Sequence, residues 1–333
     1  MDLMPKPLSV DIEHIPGLSG KLLRSHYDNN YLGAVSRLNA IRLRLERTES
    51  NTMQGFSLVG HKREELIAAN SVFLHEAYFD VLGGDGILPV GGLSVALERD
   101  FGSFESWRGE FSALARAMGG GSGWAILAWS SRETRLVNHW AGDHTQLLAG
   151  ASTLLVLDMY EHAYHMDFGA KAAAYVDAFM AQIRWAGVAS AYACAVEAAS
   201  SGLGILPSEV EANGRSVILD VRRRSVFEQA DGRIPGAEWR NPALVAQWAS
   251  EQDQSKTVIV YCVHGLEVSQ SVALALRNLG VPARYLEGGI EAWQSAGLPI
   301  MRKAECKLLS IRYEQLTCLG PICQVASAPW VTR

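Results

Sequence analysis

The stretch that most constrains the fold of this chain is residues 153–168, TLLVLDMYEHAYHMDF. Its apolar run, residues 154–157, is long enough for a buried strand, and the run ends on Asp158 with His162 four residues later. A carboxylate oxygen and an imidazole nitrogen placed together suit iron, manganese or zinc better than calcium. Taken alone, this spacing more often marks a strand that ends on a capping Asp and is followed by a packed His. The rest of the chain therefore has to decide between the two interpretations.

Composition excludes several classes of partner. The 333 residues are enough for about two domains, and 48% hydrophobic with 20% charged residues is ordinary for a globular protein. A net charge of −5 argues against nucleic acid or an anionic membrane as a partner. No apolar run approaches the ~20 residues of a membrane span, and we see no export signal. The five cysteines are widely spread and odd in number, which predicts no disulfide framework and a reducing, cytoplasmic setting.

The first part of the chain has a helical pattern. Ser19 is placed to cap a first helix, in which Gly33 marks a possible kink. A second helix is predicted from about Lys62 to Leu82, ended by the glycines of residues 83–86. The two apolar faces predict an antiparallel helical hairpin.

A mixed α/β pattern follows the hairpin. Further helices are predicted between residues 93 and 118, and a single long helix is predicted over residues 170–193. Between them lie three predicted strands, at residues 124–129, 135–140 and 154–157.

Residues 196–207 are mostly small and form a predicted linker, after which the sequence pattern changes again. Residues 217–219 and 258–261 are short apolar strands, and helices are predicted at residues 244–250 and 269–279. Strands that alternate with helices in this way predict a small domain built on a parallel sheet.

Four segments of the first part resemble one known family. DMYEHAYHMDF, from Asp158 onwards, is similar to the DVWEHAYYLDY signature of the iron/manganese superoxide dismutases. RSHYDNNY around His26, SVFLHEAYFD around His75 and GSGWAILAW at residues 121–129 resemble that family's other segments, in the same order. The resemblance implies dismutation of superoxide to O2 and H2O2. It also implies one iron or manganese ion per chain, with iron favoured, and His26, His75, Asp158 and His162 as the metal ligands.

The same resemblance singles out a catalytic histidine near the metal. In the family a side chain beside the metal tunes its redox potential through bound solvent, and His144 in AGDHT aligns with that position. His139 is the neighbouring competitor. The family's gateway His and Tyr are Asn30 and Ala34 here, and Tyr31 is a partial substitute. These departures predict an effect on the turnover rate rather than on metal binding.

The resemblance further implies a homodimer. Glu161 would bridge to His162 of a second subunit, and Tyr160 replaces the Trp that the family places before this Glu-His pair.

Residues 208–300 resemble a single rhodanese (sulfurtransferase) domain. The matching segments are DVR at residues 220–222, GRIPGA at 232–237, the loop CVHGLEV at 262–268, and LEGG at 286–289 with Trp293. Cys262 ends a predicted strand, where loop amides and a helix N-terminus favour the thiolate and hence persulfide chemistry with a sulfane-sulfur donor or acceptor. Glu267 in this loop is expected to repel an anionic donor such as thiosulfate, which favours either a persulfide donor or a domain that only binds or senses.

The predicted plan is therefore an α+β dismutase-like domain followed by an α/β rhodanese-like domain. The first hypothesis for function is a metal-dependent dismutase whose partner domain handles reactive sulfur. The alternative is a sulfurtransferase in which the metal domain serves as a dimerisation or metal-binding module. The predicted segments are the helical hairpin at 1–90, the α/β part at 91–195, the linker at 196–207, the rhodanese-like domain at 208–300 and a tail of unknown role at 301–333.

Overall fold

The structure, a computed structural model, describes residues 2–47, 54–210 and 216–302. Within these ranges no helix combines the length and apolar character needed to cross a membrane. Cys306, Cys318 and Cys323, in the predicted tail, lie outside the described residues.

Helices dominate the first part, and a three-stranded sheet interrupts them. The elements are α1 Gly20–Ser25, α2 Leu32–Arg47, α3 Gly55–Asp80, α4 Gly92–Phe101, α5 Phe104–Ala117, β1 Trp124–Ser130, β2 Arg135–Ala141, β3 Ala151–Asp158, α6 His165–Phe168, α7 Ala172–Met180 and α8 Trp185–Ala199.

The helical hairpin is confirmed, but the interruption of its first helix lies before Gly33 rather than at it. Ser19 caps α1, because its side chain accepts a hydrogen bond from the Leu22 N–H. A π-helical turn, His26–Tyr31, then joins α1 to α2. The predicted kink at Gly33 is therefore wrong by a few residues, and the wide turn places His26 at its start. Helix α3 packs antiparallel against α2 and begins at Gly55, earlier than expected.

The sheet has the order β2-β1-β3 and both pairings are antiparallel. Strand β1 is buried along its whole length because helices and neighbouring strands cover it. Its register pairs Trp124 with Asp158, so the GSGW segment lies directly beside the end of the DMYEH strand.

The single helix predicted over residues 170–193 is wrong: two helices, α7 and α8, replace it. The break occurs because backbone groups between them pair with the glycine-rich turn after α3 instead of continuing a helix. The Arg184 N–H donates to the Val81 carbonyl at 2.7 Å, and the Gln182 carbonyl accepts from the Gly84 N–H at 2.9 Å. Gly84 is required there, since a Cβ would lie 2.4 Å from the Ile183 carbonyl oxygen.

The second part contains the predicted parallel sheet, of strand order β4-β9-β8-β5-β7, and its fold class is confirmed. The segment predicted as a linker contributes the end of α8 and the edge strand β4, and the exact domain limits stay a prediction. The elements are β4 Gly204–Ile205, β5 Ser216–Asp220, α9 Arg224–Gln229, β6 Gly232–Arg233, β7 Glu238–Trp239, α10 Val245–Trp248, β8 Thr257–Tyr261, α11 Glu267–Asn278, β9 Ala283–Leu286, α12 Gly289–Ser295 and β10 Met301–Arg302.

Candidate metal centre

Four side chains from separate elements of the first part converge on one point. His26 opens the π-helical turn, His75 lies on α3, Asp158 ends β3, and His162 lies in the short 3-10 turn Glu161–Ala163. Each offers one donor atom, and these atoms all lie within 4.8 Å of one another. His26, His75 and Asp158 are buried, whereas His162 is partly exposed. The structure thus brings together all four residues that the sequence predicts as ligands.

The Asp158 carboxylate is the centre of this cluster. Its Oδ2 lies 3.0 Å from His26 Nε2, 3.2 Å from His162 Nε2 and 3.7 Å from His75 Nε2. Its Oδ1 accepts a hydrogen bond from the Tyr160 N–H at 2.8 Å. That bond fixes the carboxylate so that Oδ2 faces the three imidazoles.

The tautomer of His75 follows from its partner. Its Nδ1 lies 2.6 Å from the Ser71 carbonyl oxygen, and because a carbonyl can only accept, Nδ1 carries the proton. Nε2 is then unprotonated, and this buried atom has no hydrogen-bond partner among the described residues. A buried ring nitrogen with a free lone pair, held by a backbone acceptor on its other side, is the usual arrangement of a metal-binding His. These residues therefore fit a metal ion.

Burial sets the protonation states in the form that binds metal. It lowers the pKa of His75 to about 3, with further lowering from neighbouring His26, and it lowers the pKa of His26 as well. Burial by itself raises the pKa of the Asp158 carboxyl. Hydrogen bonds from His162 and His26 outweigh this effect and hold the pKa of this carboxyl well below its usual value. At neutral pH His26 and His75 are thus neutral and Asp158 is ionised, as metal binding requires.

Aromatic rings surround the four side chains. Trp124 packs edge-on to His75 with ring centroids 5.2 Å apart, and Tyr160 stacks on His162 at 5.5 Å. Tyr78 lies 5.0 Å from the ring of His26. Sequence reasoning assigned Tyr78 only to the core, because a helical apolar pattern does not reveal which buried ring will face a ligand.

His144 lies outside the cluster of four, next to its aromatic wall. Its Nδ1 is 3.3 Å from the Tyr160 hydroxyl, and its ring centroid is 5.5 Å from that of Trp124. Asn70 Nδ2 donates to the His144 carbonyl at 2.5 Å, which ties this loop to α3. Its competitor His139 lies on β2, paired with Ile126.

Tyr31 is the partial substitute for the family's gateway residues, but its hydroxyl forms hydrogen bonds to residues outside the metal cluster. The hydroxyl donates to Glu76 Oε1 at 2.9 Å and accepts from the Lys6 N–H at 2.5 Å. Burial raises the pKa of this phenol, so it keeps its proton at neutral pH. The position of the family's gateway Tyr is occupied by Ala34, which is buried.

A second candidate site surrounds Cys262, which directly follows β8 and is buried. Its Sγ lies 3.2 Å from Ser269 Oγ, at the start of α11. A cavity of about 240 Å³ opens beside the thiol. Arg223 and the Gly91-Gly92 pair also line this cavity, and sequence reasoning missed all three because no local pattern links segments so far apart in the chain.

Comparison with known families gives two matches. Residues 89–191 match the family described as "Iron/manganese superoxide dismutases, C-terminal domain". Residues 207–296 match the family described as "Rhodanese-like domain".

Curated relatives cover the first part of the chain. A protein named "Superoxide dismutase [Fe]" from Cupriavidus metallidurans is 58% identical over 191 residues, which are 57% of this chain and 96% of that protein. "Superoxide dismutase [Mn] 2" from Haloferax volcanii is 34% identical over 200 residues, 59% of this chain and 97% of that protein. "Superoxide dismutase [Fe]" from Aquifex pyrophilus is 34% identical over 183 residues, 52% of this chain and 83% of that protein.

Proposed function

Because this chain belongs to the iron/manganese superoxide dismutase family, we propose that its first part dismutates superoxide at one iron or manganese ion bound by the His26–His75–Asp158–His162 cluster. The observation that carries the proposal is the convergence of these four donor atoms within 4.8 Å. The relative with 58% identity is named as an iron enzyme, which favours iron over manganese.

In the reaction, two superoxide anions and two protons give O2 and H2O2. A bound iron or manganese ion supplies the one-electron oxidation and reduction that this balance requires. Three neutral imidazoles and one carboxylate cancel only one unit of the ion's charge, so the centre stays cationic and attracts an anionic substrate. Ser71 orients His75 through its carbonyl oxygen, and the buried aromatic rings keep bulk water away from the donor atoms.

His144 and Tyr160 are the polar groups that we assign to proton handling beside the cluster. Burial raises the pKa of Tyr160 to about 12 and lowers the pKa of His144. At neutral pH the hydroxyl therefore keeps its proton and the imidazole is uncharged. The Tyr160 hydroxyl lies 3.3 Å from His144 Nδ1, a distance that suits a hydrogen bond from the hydroxyl to the ring nitrogen. The same proposal assigns to His144 the tuning of the metal-bound solvent.

The first test measures iron and manganese content and dismutase activity on the same purified samples. His75→Ala should lose the bound metal and with it the activity, because a buried donor is removed. His139→Ala is the matched control. Because His139 lies outside the cluster, this variant should retain both the bound metal and the activity. Full dismutation by His75→Ala would sink the proposal. Bound metal without activity in the unaltered protein would favour the metal-binding module.

A homodimer is part of the proposal. Glu161 is exposed next to the partly exposed His162, so both side chains are available at the surface for a contact with a second subunit. The sedimentation coefficient of the purified protein should correspond to two chains, and a purely monomeric protein would contradict this assignment.

Sulfur transfer at Cys262 is the second candidate function. The rhodanese-like match and the cavity beside the buried thiol support it. The Cys262 thiolate would take the outer sulfur of a sulfane-sulfur donor and pass it to a thiol acceptor. Cys262→Ser should abolish transfer and leave metal content unchanged, whereas Cys194→Ser, at an exposed free thiol, should change neither. Undiminished transfer by Cys262→Ser would remove this cysteine from the mechanism.

We also infer a reducing, cytoplasmic setting. Cys194 and Cys262 are both free thiols in the described part of the chain, and a persulfide-forming thiol functions only while it is not held in a disulfide. Cell fractionation with thiol titration tests this, and an oxidised Cys262 in the isolated protein would argue against it.

A further inference from the structure

Helix α11 carries the cysteine loop, residues 262–268, at its N-terminus and is buried on two of its sides. One side packs on the parallel sheet of its own domain. The apolar residues on that side are Val272, Ala273, Ala275 and Leu276. The other side contains positions 267, 271, 274 and 278, which recur after four, three and four residues and so share one face of a helix. This second face lies against α4 and α8 of the dismutase domain.

The dismutase domain contacts the middle and the end of this second face. Ser271 is buried beside Tyr192 of α8, and Leu274 belongs to the hydrophobic core of the dismutase domain. At the end of the helix, Asn278 Nδ2 donates to the Glu133 carbonyl at 3.2 Å. The position of α11 is therefore fixed by the dismutase domain as well as by its own sheet.

The first half of the cysteine loop is held within the rhodanese-like domain. The Cys262 carbonyl accepts a hydrogen bond from the Ile290 N–H at 3.0 Å, and the Val263 carbonyl accepts one from the Glu291 N–H at 3.2 Å. Both donors lie in α12. These bonds fix the residues that directly follow β8.

The second half of the loop is held across the domain boundary. Glu267 Oε1 accepts a hydrogen bond from the Gly92 N–H at 3.2 Å, at the start of α4. The partial positive charge at the N-terminus of α4 favours this carboxylate. A Cβ at position 92 would lie 2.0 Å from Glu267 Cγ, so any larger residue displaces the Glu267 side chain. Glu267 also lines the cavity beside Cys262, and its repulsion of an anionic donor stays a prediction.

The start of α11 is in direct contact with the thiol. Cys262 Sγ lies 3.2 Å from Ser269 Oγ, which in turn donates to the Leu266 carbonyl at 3.2 Å. Glu267 is the first residue of the same helix. A shift of this first turn therefore changes the surroundings of Cys262, including the loop amides expected to favour its thiolate.

We propose that Glu267 is a positioning residue through which the dismutase domain holds the cysteine loop in the geometry that Cys262 needs. Glu267 acts here as a hydrogen-bond acceptor for the Gly92 amide, so an uncharged acceptor of the same shape can take its place. The positioning stands on the contacts of α11 and Gly92, whereas its effect on sulfur transfer rests on the function proposed for Cys262.

Positioning is tested first, in the full-length protein and without any reaction. Amide hydrogen exchange is measured by mass spectrometry for the peptide of residues 262–272. Glu267→Ala removes the acceptor and Gly92→Ala displaces it, so exchange should become about fivefold faster or more in both variants. Glu267→Gln keeps an oxygen that can accept from the Gly92 N–H and should exchange as the unsubstituted protein does.

Gly109→Ala is the matched control for Gly92→Ala. Gly109 is a helical glycine of the dismutase domain whose Cβ would meet nothing within 4 Å, so exchange of the loop peptide should not change. Unchanged metal content in every variant shows that the dismutase domain is folded.

Sulfur transfer from glutathione persulfide is measured next. Glu267→Ala should lower kcat about tenfold or more, because the groups around the thiol are misplaced, and Glu267→Gln should keep most of kcat. The effect is read from kcat because loss of the carboxylate's charge acts on the KM of an anionic donor. The double variant Gly92→Ala/Glu267→Ala should lose no more than either single variant, since both changes remove one contact.

The outcomes separate this inference from the function proposed for Cys262. Unchanged exchange in Glu267→Ala would overturn the positioning role. Equal losses of kcat in Glu267→Ala and Glu267→Gln would assign the effect to charge and overturn it too, and additive losses in the double variant would overturn the contact across the domain boundary. Faster exchange in Glu267→Ala and Gly92→Ala, with no sulfur transfer by the unsubstituted protein, would support this inference and reject the function proposed for Cys262.

Discussion

Burial determines the charge of individual side chains at the metal centre. The pKa of His75 falls to about 3 in the folded protein because burial removes the ring from water, and the pKa of His26 is lowered for the same reason. In the unfolded chain both rings titrate near a pKa of about 6.5. Below that pH the unfolded chain binds more protons than the folded one.

The metal-free protein should therefore lose stability as the pH falls. The free energy of unfolding is highest above pH ~6.5 and decreases towards pH ~3, with a slope that approaches about 1.4 kcal/mol per pH unit for each histidine. Urea unfolding of the metal-free protein at several pH values between 7 and 5 measures this slope. His75→Gln, which has no titrating ring, should give a shallower slope, and an identical slope would show that His75 does not contribute.

Among the elements, helix α1 shows how a local signal positions a ligand. Ser19 Oγ accepts from the Leu22 N–H at 3.1 Å and donates to Asp167 Oδ1 at 2.7 Å. Ser19 therefore caps α1, the helix that leads into the His26 turn. It also links α1 to Asp167, in the segment after His162.

Ser19→Ala should lower the free energy of unfolding by about 1–2 kcal/mol, since the cap and the link to Asp167 are both lost. Denaturant unfolding of the metal-loaded protein measures the change. Ser36→Ala, at an exposed position inside α2, should change it by less than about 0.5 kcal/mol. Equal values for the two variants would mean that the cap does not stabilise this helix in the protein.

The sequence predicted which segments form helices and strands, but it did not predict where a helix is interrupted. The apolar runs at residues 124–129 and 258–261 became strands because four or more consecutive apolar residues suit a strand buried on both faces. The break between α7 and α8 left no such signal. It arises where Arg184 pairs with Val81, a contact to a remote turn that periodicity within the segment cannot report.

At the scale of the whole molecule, the two domains share an apolar contact. Helix α11 of the rhodanese-like domain packs against α8 and α4 of the dismutase domain. Leu274 on α11 is 8% exposed and belongs to the hydrophobic core of the dismutase domain. Asn278 Nδ2 also donates to the Glu133 carbonyl at 3.2 Å. The domains should consequently unfold together.

Leu274→Asp should separate the unfolding of the two domains, because it places a charge in the shared apolar contact. Calorimetry should show one transition for the unsubstituted protein and two for this variant. Leu279→Asp is the control, because Leu279 directly follows this helix and is 46% exposed; this variant should keep a single transition. If both variants kept one transition, Leu274 would not couple the domains.

The sequence by itself determined the donor types, the order of the segments that carry them and the two fold classes, because these depend on residue chemistry and local periodicity. Only the tertiary structure decided which atoms meet. His26 and Asp158 are 132 positions apart yet lie in contact, and Ser71 selects the tautomer of His75 through a backbone carbonyl. Glu267 reaches Gly92 across 175 positions. Such contacts depend on how whole elements pack around a shared core, and that packing is a property of the complete chain rather than of any one motif.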